Sequence, residues 1–146
     1  MPVPLLDVNV LVALAWPNHV HHAKAVAWFT AHHHDRWATA PPTEAGFIRV
    51  SSNRSVIPDA RPPSEAIALL SQLTTLEGHT FWADATRFPD NPHLDPSRLV
   101  GHRQVTDAHL VALALQHGGR LVTFDRGISD VVPSGIAPDS VLTILA

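Results

Sequence analysis

Residues 3–15 read Val3-Pro4-Leu5-Leu6-Asp7-Val8-Asn9-Val10-Leu11-Val12-Ala13-Leu14-Ala15. The apolar run before Asp7 predicts a short strand, and Leu11, Val12, Leu14 and Ala15 continue with helical rather than alternating spacing. The stretch therefore reads strand, turn, helix, with one acid at the junction.

The same rhythm repeats downstream. Pro17-Asn18 breaks the first helix, and Ala23, Val26, Ala27 and Phe29 predict a second over about residues 19–32. Residues 37–40 form a short strand candidate. Pro41-Pro42-Thr43 opens the next helix, with Thr43 expected as its cap and Glu44 in its first turn. Pro63-Ser64-Glu65 introduces a periodic helix through Ile67, Leu69, Leu70, Leu73 and Leu76, which Gly78 stops. Residues 79–83 predict another strand, and residues 84–102 a long Pro-rich loop. Thr106 is expected to cap a helix through Leu110, Val111, Leu113, Ala114 and Leu115, ended by Gly118-Gly119. Strands are predicted over 121–124, ending at Asp125, and over 141–145. Parallel strands need crossover connections, so short apolar strands alternating with helices predict a three-layer α/β/α domain with a central parallel sheet. The 146 residues suit one domain over 1–146.

Composition narrows the chemistry. Hydrophobic residues make up 45% and charged residues 16%, as in a globular chain with a core. There is no cysteine, so disulfides and thiolate metal sites are excluded and only Asp, Glu and His remain as metal ligands. Neither an export signal nor an apolar run of roughly 18 residues is visible, and a cytoplasmic, non-membrane protein is expected. The net charge of -3 is unusual for a nucleic-acid binder, yet setting aside four clustered carboxylates leaves the rest at +1. Nine of the ten basic residues are arginine, whose fork suits phosphate.

Ligands of open parallel sheets gather beyond the carboxyl ends of the strands. Asp7 follows the first strand, Glu44 lies just after 37–40, Asp125 follows 121–124, and Asp107 begins a helix entered from the long loop. Each acid alone is an ordinary surface residue; their shared placement makes them catalytic and metal-holding candidates. Two carboxylates about 4 Å apart repel by roughly 4 kcal/mol at an effective dielectric of about 20, and a divalent cation is the natural compensation. Magnesium and manganese favour such oxygen ligands and would promote hydrolysis of a phosphodiester. Asn9 could orient Asp7 or a metal-bound water through its amide, with helix capping as the competing role.

Four segments resemble successive motifs of the PIN-domain nucleases, most closely the VapC-type toxins: Leu5-Leu6-Asp7-Val8-Asn9-Val10-Leu11, Thr43-Glu44, His102-Arg103-Gln104-Val105-Thr106-Asp107-Ala108-His109-Leu110 and Thr123-Phe124-Asp125-Arg126. The likeness runs from Asp7 to Asp125 and includes the His-rich stretch ending at Trp28. It implies a magnesium- or manganese-dependent endoribonuclease, usually a homodimer, that cuts RNA and is neutralised by a cognate VapB-like antitoxin. Asp7, Glu44, Asp107 and Asp125 match the acidic positions, with Asn9 and Thr106 as supporting polar positions.

Other signals carry less. The eleven histidines lack a cysteine or a close His-Glu-x-x-His pattern that would build a zinc site. Arg87, Arg98, Arg103 and Arg126 are candidate RNA phosphate contacts, with surface solubility as the competing role. Trp16, Trp28, Trp37 and Trp82 could stack on bases, although Trp28 and Trp82 lie among apolar residues that favour core packing. An aspartyl phosphotransferase is disfavoured, because Asn9 replaces the second aspartate of Asp-x-Asp and the only lysine, Lys24, sits on the second helix. A magnesium-binding module that recognises RNA or protein without cutting is the non-enzymatic alternative.

Overall fold

The computed structural model describes residues 2–146. Five strands, β1 (Pro4–Leu6), β2 (Trp37–Thr39), β3 (His79–Phe81), β4 (Arg120–Thr123) and β5 (Leu142–Ile144), form one sheet in the order β3-β2-β1-β4-β5. Every neighbouring pair is parallel, with Leu5 opposite Ala38 and Leu121, and Leu6 opposite Val122. The helices are α1 (Val8–Ala15), α2 (His22–His32), α3 (Pro41–Ser51), α4 (Pro63–Leu73), α5 (Gln104–Gln116) and a short α6 (Pro138–Val141).

Alternation along the strands builds two cores. Successive side chains of a strand point to opposite faces. Leu5, Ala38, Leu121 and Leu142 face one way and pack with Leu110, Val111 and Leu113 of α5, Val141 of α6 and Trp82. Leu6, Trp37 and Val122 face the other way and pack with Val10 and Leu11 of α1, Phe29 of α2, Phe47 of α3 and Leu70 of α4. The three-layer α/β/α arrangement follows from that division. α5 is buried along its middle, over Leu110 to Ala114, and its alanines, Ala108, Ala112 and Ala114, let it lie close against its neighbours.

Local departures from the sequence expectations have physical reasons. Thr43 is not the cap of α3: Ala40 holds that position, and Pro41 and Pro42 occupy the first turn, where a missing N–H costs nothing. Thr43 instead folds back, its Oγ1 accepting from the Ala40 amide at 3.0 Å. Thr106 likewise is not a cap, because α5 begins at Gln104, whose Oε1 accepts from the amides of Val100 and Gly101. α2 starts at His22, since residues 19–21 are consumed by a turn in which His19 Nδ1 accepts from the His21 amide at 3.0 Å. Two features were not foreseen, α6 and a 3-10 segment over Arg126–Val131 that buries Ile128 and Val131. The long loop contains only a 3-10 turn at Pro96–Arg98. Gly78 is required where it stands: its φ is +89°, and a Cβ there would lie 1.7 Å from the His33 carbonyl oxygen.

Candidate active site

The parallel sheet has one carboxyl-terminal edge, and its central strands deliver the acids there. Asp7 follows β1; its amide still bonds the Val122 carbonyl at 2.9 Å, so the residue is fixed by the sheet before α1 begins. Its carboxylate then caps α1, with Oδ1 accepting from the Val8 amide at 2.7 Å. Oδ2 accepts the Thr123 hydroxyl at 2.8 Å. Asp7 is 8% exposed and Thr123 fully buried.

Thr123 is the hinge of this half of the site. Its Oγ1 accepts from Asn9 Nδ2 at 3.2 Å and from the Asp125 amide at 3.0 Å while donating to Asp7. Asn9 Oδ1 in turn accepts from the Phe124 amide at 3.2 Å. Asn9 is therefore neither a helix cap nor a direct partner of Asp7; it ties α1 to the end of β4 and reaches the acid through Thr123. Asp125 is exposed, and its Oδ1 accepts from the Gly127 amide at 2.8 Å.

The three aspartates influence one another. Burial pushes the Asp107 carboxyl up to about 6, reinforced by the negative charges of Asp125 and Asp7. Asp7 is also raised: burial outweighs the opposing bonds from Thr123 and Val8, and Asp125 adds to the rise. Among the described residues the ion pairs are Arg61 with Glu65, Arg98 with Asp95 and His109 with Asp84, and none neutralises these aspartates. The site holds mutually repelling, oxygen-only donors without a protein cation, which is the donor chemistry a hard divalent ion requires. Among the described residues no three or more His, Asp or Glu side chains stand close enough together to form a metal-holding group as they lie.

Glu44 occupies the neighbouring part of the edge. Its amide bonds the Ala40 carbonyl at 2.9 Å in the first turn of α3, and its Oε2 accepts the Thr39 hydroxyl at 2.7 Å. Thr39, fully buried at the end of β2, also lies 2.8 Å from His79 Nε2. Burial lowers the His79 pKa against the opposing charge of Glu44, which favours a neutral ring. α3 approaches α1 closely enough that a Cβ on Gly46 would sit 2.4 Å from Val8 Cγ2. That contact joins the residue two beyond Glu44 to the residue one beyond Asp7.

The remaining candidates are more dispersed. Thr106 is exposed one residue before Asp107, with no side-chain hydrogen bond among the described residues. Arg103 is exposed at the entrance to α5, and Arg126 follows Asp125 with its guanidinium bonded to the Ala146 carbonyl at 3.1 Å. Arg98 is held by Asp95 and Ser134, and Arg87 is exposed in the long loop. Trp37 is fully buried and therefore belongs to the core, not to a base-stacking surface. Asp84 lies on the same edge beyond β3. Burial would raise its pKa, but bonds from Thr86 and His109 outweigh that and hold it below the usual range.

Thr39, Thr123 and His79 were not singled out from the sequence. The available signal was a threonine at corresponding places in Ala38-Thr39-Ala40 and Val122-Thr123-Phe124, a hydroxyl ending each apolar strand that flanks β1.

Known proteins point the same way. The PIN domain family model matches residues 5–132. Ribonuclease VapC39 of Mycobacterium tuberculosis is 53% identical over 132 residues, which cover 90% of this chain and 95% of that protein. Ribonuclease VapC38 of the same organism is 49% identical over 142 residues, 97% of this chain and 99% of that protein. The crystal structure of Mycobacterium tuberculosis VapC20, described as a sarcin-ricin loop cleaving toxin, aligns with a TM-score of 0.58 at 15% identity, covering 92% of this chain and 97% of that one. At that identity the likeness speaks for the fold.

Proposed function

Because this chain belongs to the PIN-domain family and has ribonucleases of the VapC group as close relatives, we propose that it is a metal-dependent endoribonuclease toxin, hydrolysing RNA phosphodiester bonds and neutralised by a cognate VapB-like antitoxin. The observation that carries the reading is the edge-clustered aspartate set, in which burial, with the charges of Asp125 and Asp7, raises Asp107 and no protein cation answers them.

Asp7, Asp107, Asp125 and Glu44 are the residues assigned to hold the metal. Magnesium, or manganese in its place, supplies when bound the missing positive charge and the Lewis acidity that activates water and polarises a phosphoryl group. The chain's own residues do the positioning. Thr123 and the Val8 amide fix the direction of Asp7, Asn9 fixes Thr123, and Gly127 fixes one oxygen of Asp125. Thr106 borders Asp107 on the solvent side, in a place to meet substrate. Arg103, Arg126 and Arg87 are assigned to RNA phosphates, whereas Arg98 contributes less because Asp95 already engages it.

The protein is assigned to the cytoplasm, as a homodimer of single PIN-like units over residues 1–146. Its described residues contain no helix long and apolar enough to cross a membrane.

The reading is tested by incubating highly purified protein, free of antitoxin, with a mixed cellular RNA pool in magnesium, in manganese and in chelator, beside Asp7→Ala. Discrete metal-dependent products absent from the variant are expected. Equal cutting by Asp7→Ala, or none by folded wild type, would reject it.

A further inference from the structure

We propose that His79 and Thr39 form a positioning relay for Glu44, in which the His79 Nε2–H donates to the Thr39 hydroxyl and that hydroxyl donates to Glu44 Oε2, leaving Oε1 to face a cation. The relay rests on the assignment of Glu44 to the metal site.

The direction of the relay follows from donor counting. Thr39 Oγ1 lies 2.7 Å from Glu44 Oε2 and 2.8 Å from His79 Nε2. A hydroxyl has one hydrogen to give, and an ionised carboxylate can only accept. The hydrogen therefore goes to Glu44, and His79 must supply the second one from Nε2. A neutral ring with its one hydrogen on Nε2 carries none on Nδ1, so the relay calls for one of the two neutral tautomers. This arrangement satisfies the fully buried Thr39 hydroxyl on both sides. Bonds in such a chain polarise one another, so the ring strengthens the hydroxyl as a donor to the carboxylate.

The ring is itself held. His79 lies opposite Trp37 in the register of β3 on β2, and the two rings are 4.7 Å apart at 60°. Trp37 is fully buried and its Nε1 donates to the Glu77 carbonyl at 3.0 Å. A rigid edge strand thus reaches Glu44 through one hydroxyl. Thr123 does the same for Asp7 on the other side of β1, with Asn9 as its donor. Two threonines, one at the end of each strand flanking β1, orient one acid each.

The test uses the full 15N-labelled chain and reads the His79 tautomer from long-range proton–nitrogen correlations, without metal. Wild type is expected to show Nε2–H, Thr39→Ser to retain it, and Thr39→Val to lose the preference. In parallel, manganese affinity is measured by calorimetry: Thr39→Val and His79→Phe are expected to weaken it by about 10-fold, and Thr39→Ser by less than about 3-fold. His79→Phe keeps an aromatic ring beside Trp37 and serves if Thr39→Val fails to fold. Wild-type His79 in the Nδ1–H tautomer would overturn the relay, as would unchanged manganese affinity in folded His79→Phe. Because the tautomer is read without metal or RNA, a wild type that shows Nε2–H yet cuts no RNA would count against the nuclease assignment and leave the relay standing.

Discussion

The Thr123 hydroxyl donates to Asp7 Oδ2 at 2.8 Å, linking the end of β4 to the acid that ends β1. The same oxygen accepts from Asn9 and from the Asp125 amide, so one buried atom sets the relative placement of two aspartates and the start of α1.

Thr123→Val keeps the shape and removes that atom's chemistry. Three groups lose a partner, and two of them belong to residues that solvent reaches, half-buried Asn9 and exposed Asp125. A stability loss of about 2 kcal/mol in urea unfolding is expected, with RNA cleavage down on the order of 10-fold or more. Thr123→Ser should recover most of both; equal loss in Thr123→Ser would assign the effect to packing.

Asp107→Asn separates stability from activity. Removing a charge from a repelling set should stabilise the metal-free protein, by about 2–4 °C in Tm after allowance for its half-exposed position. Cleavage should nevertheless fall on the order of 100-fold or more. A variant that is both less stable and fully active would contradict its place in the site.

The pH dependence has a defined sign. Asp107 is pushed up to about 6 from its ordinary 3.8, so its folded form binds a proton more readily than its unfolded form. Its contribution to stability is present below the unfolded pKa and is lost as pH rises through about 6. The Tm difference between Asp107→Asn and wild type, both metal-free, should therefore be widest above pH about 7 and close as pH falls from about 6 towards 4. Taking the difference removes the opposing contribution of half-buried histidines whose pKa is lowered, such as His79. A gap that is constant with pH would refute the shift.

Divalent metal should reverse the repulsion. At a concentration 100 times its Kd, magnesium or manganese should stabilise wild type by about 2.7 kcal/mol, and addition of chelator should remove the gain. The Tm rise should shrink markedly in Asp7→Asn and Asp125→Asn, and thermal melts with and without metal check it.

Gly46→Ala probes the spacing between Glu44 and Asp7. The added Cβ meets Val8 Cγ2 at 2.4 Å, forcing α3 away from α1. A cost of about 1–3 kcal/mol is expected, with weaker manganese binding measured by calorimetry. Val8→Ala in the same chain should restore part of the affinity by removing the opposing methyl.

How far the sequence spoke depended on the kind of signal. Leu5 and Leu6, or Leu121 and Val122, announce strands by composition, and their division between two cores explains the layers. Asp7 and Asp125 were legible because each directly follows such a run. Glu44 was placed in the first turn of a helix, but its dependence on Thr39 was not legible, since it involves a bond to a side chain on the neighbouring strand. His79 was hidden for the same reason, forty positions from its partner. Cap residues were misplaced where a local rule had competitors: two prolines could start α3 before Thr43, and Gln104 could start α5 before Thr106. The arginines are the least decided by sequence, because long side chains find partners such as Asp95 or the Ala146 carbonyl that only the fold brings near.

The most direct test of the central claim is the chemistry of the ends left by cleavage. Wild type given one cleavable RNA in magnesium should produce linear phosphate ends without a 2′,3′-cyclic phosphate, because the proposed metal held by the four acids would activate water and not the neighbouring 2′-hydroxyl. Chelator and Asp7→Asn should each abolish the products. Cyclic phosphate ends, or cutting that survives both chelator and Asp7→Asn, would contradict a carboxylate-held metal at this edge of the sheet.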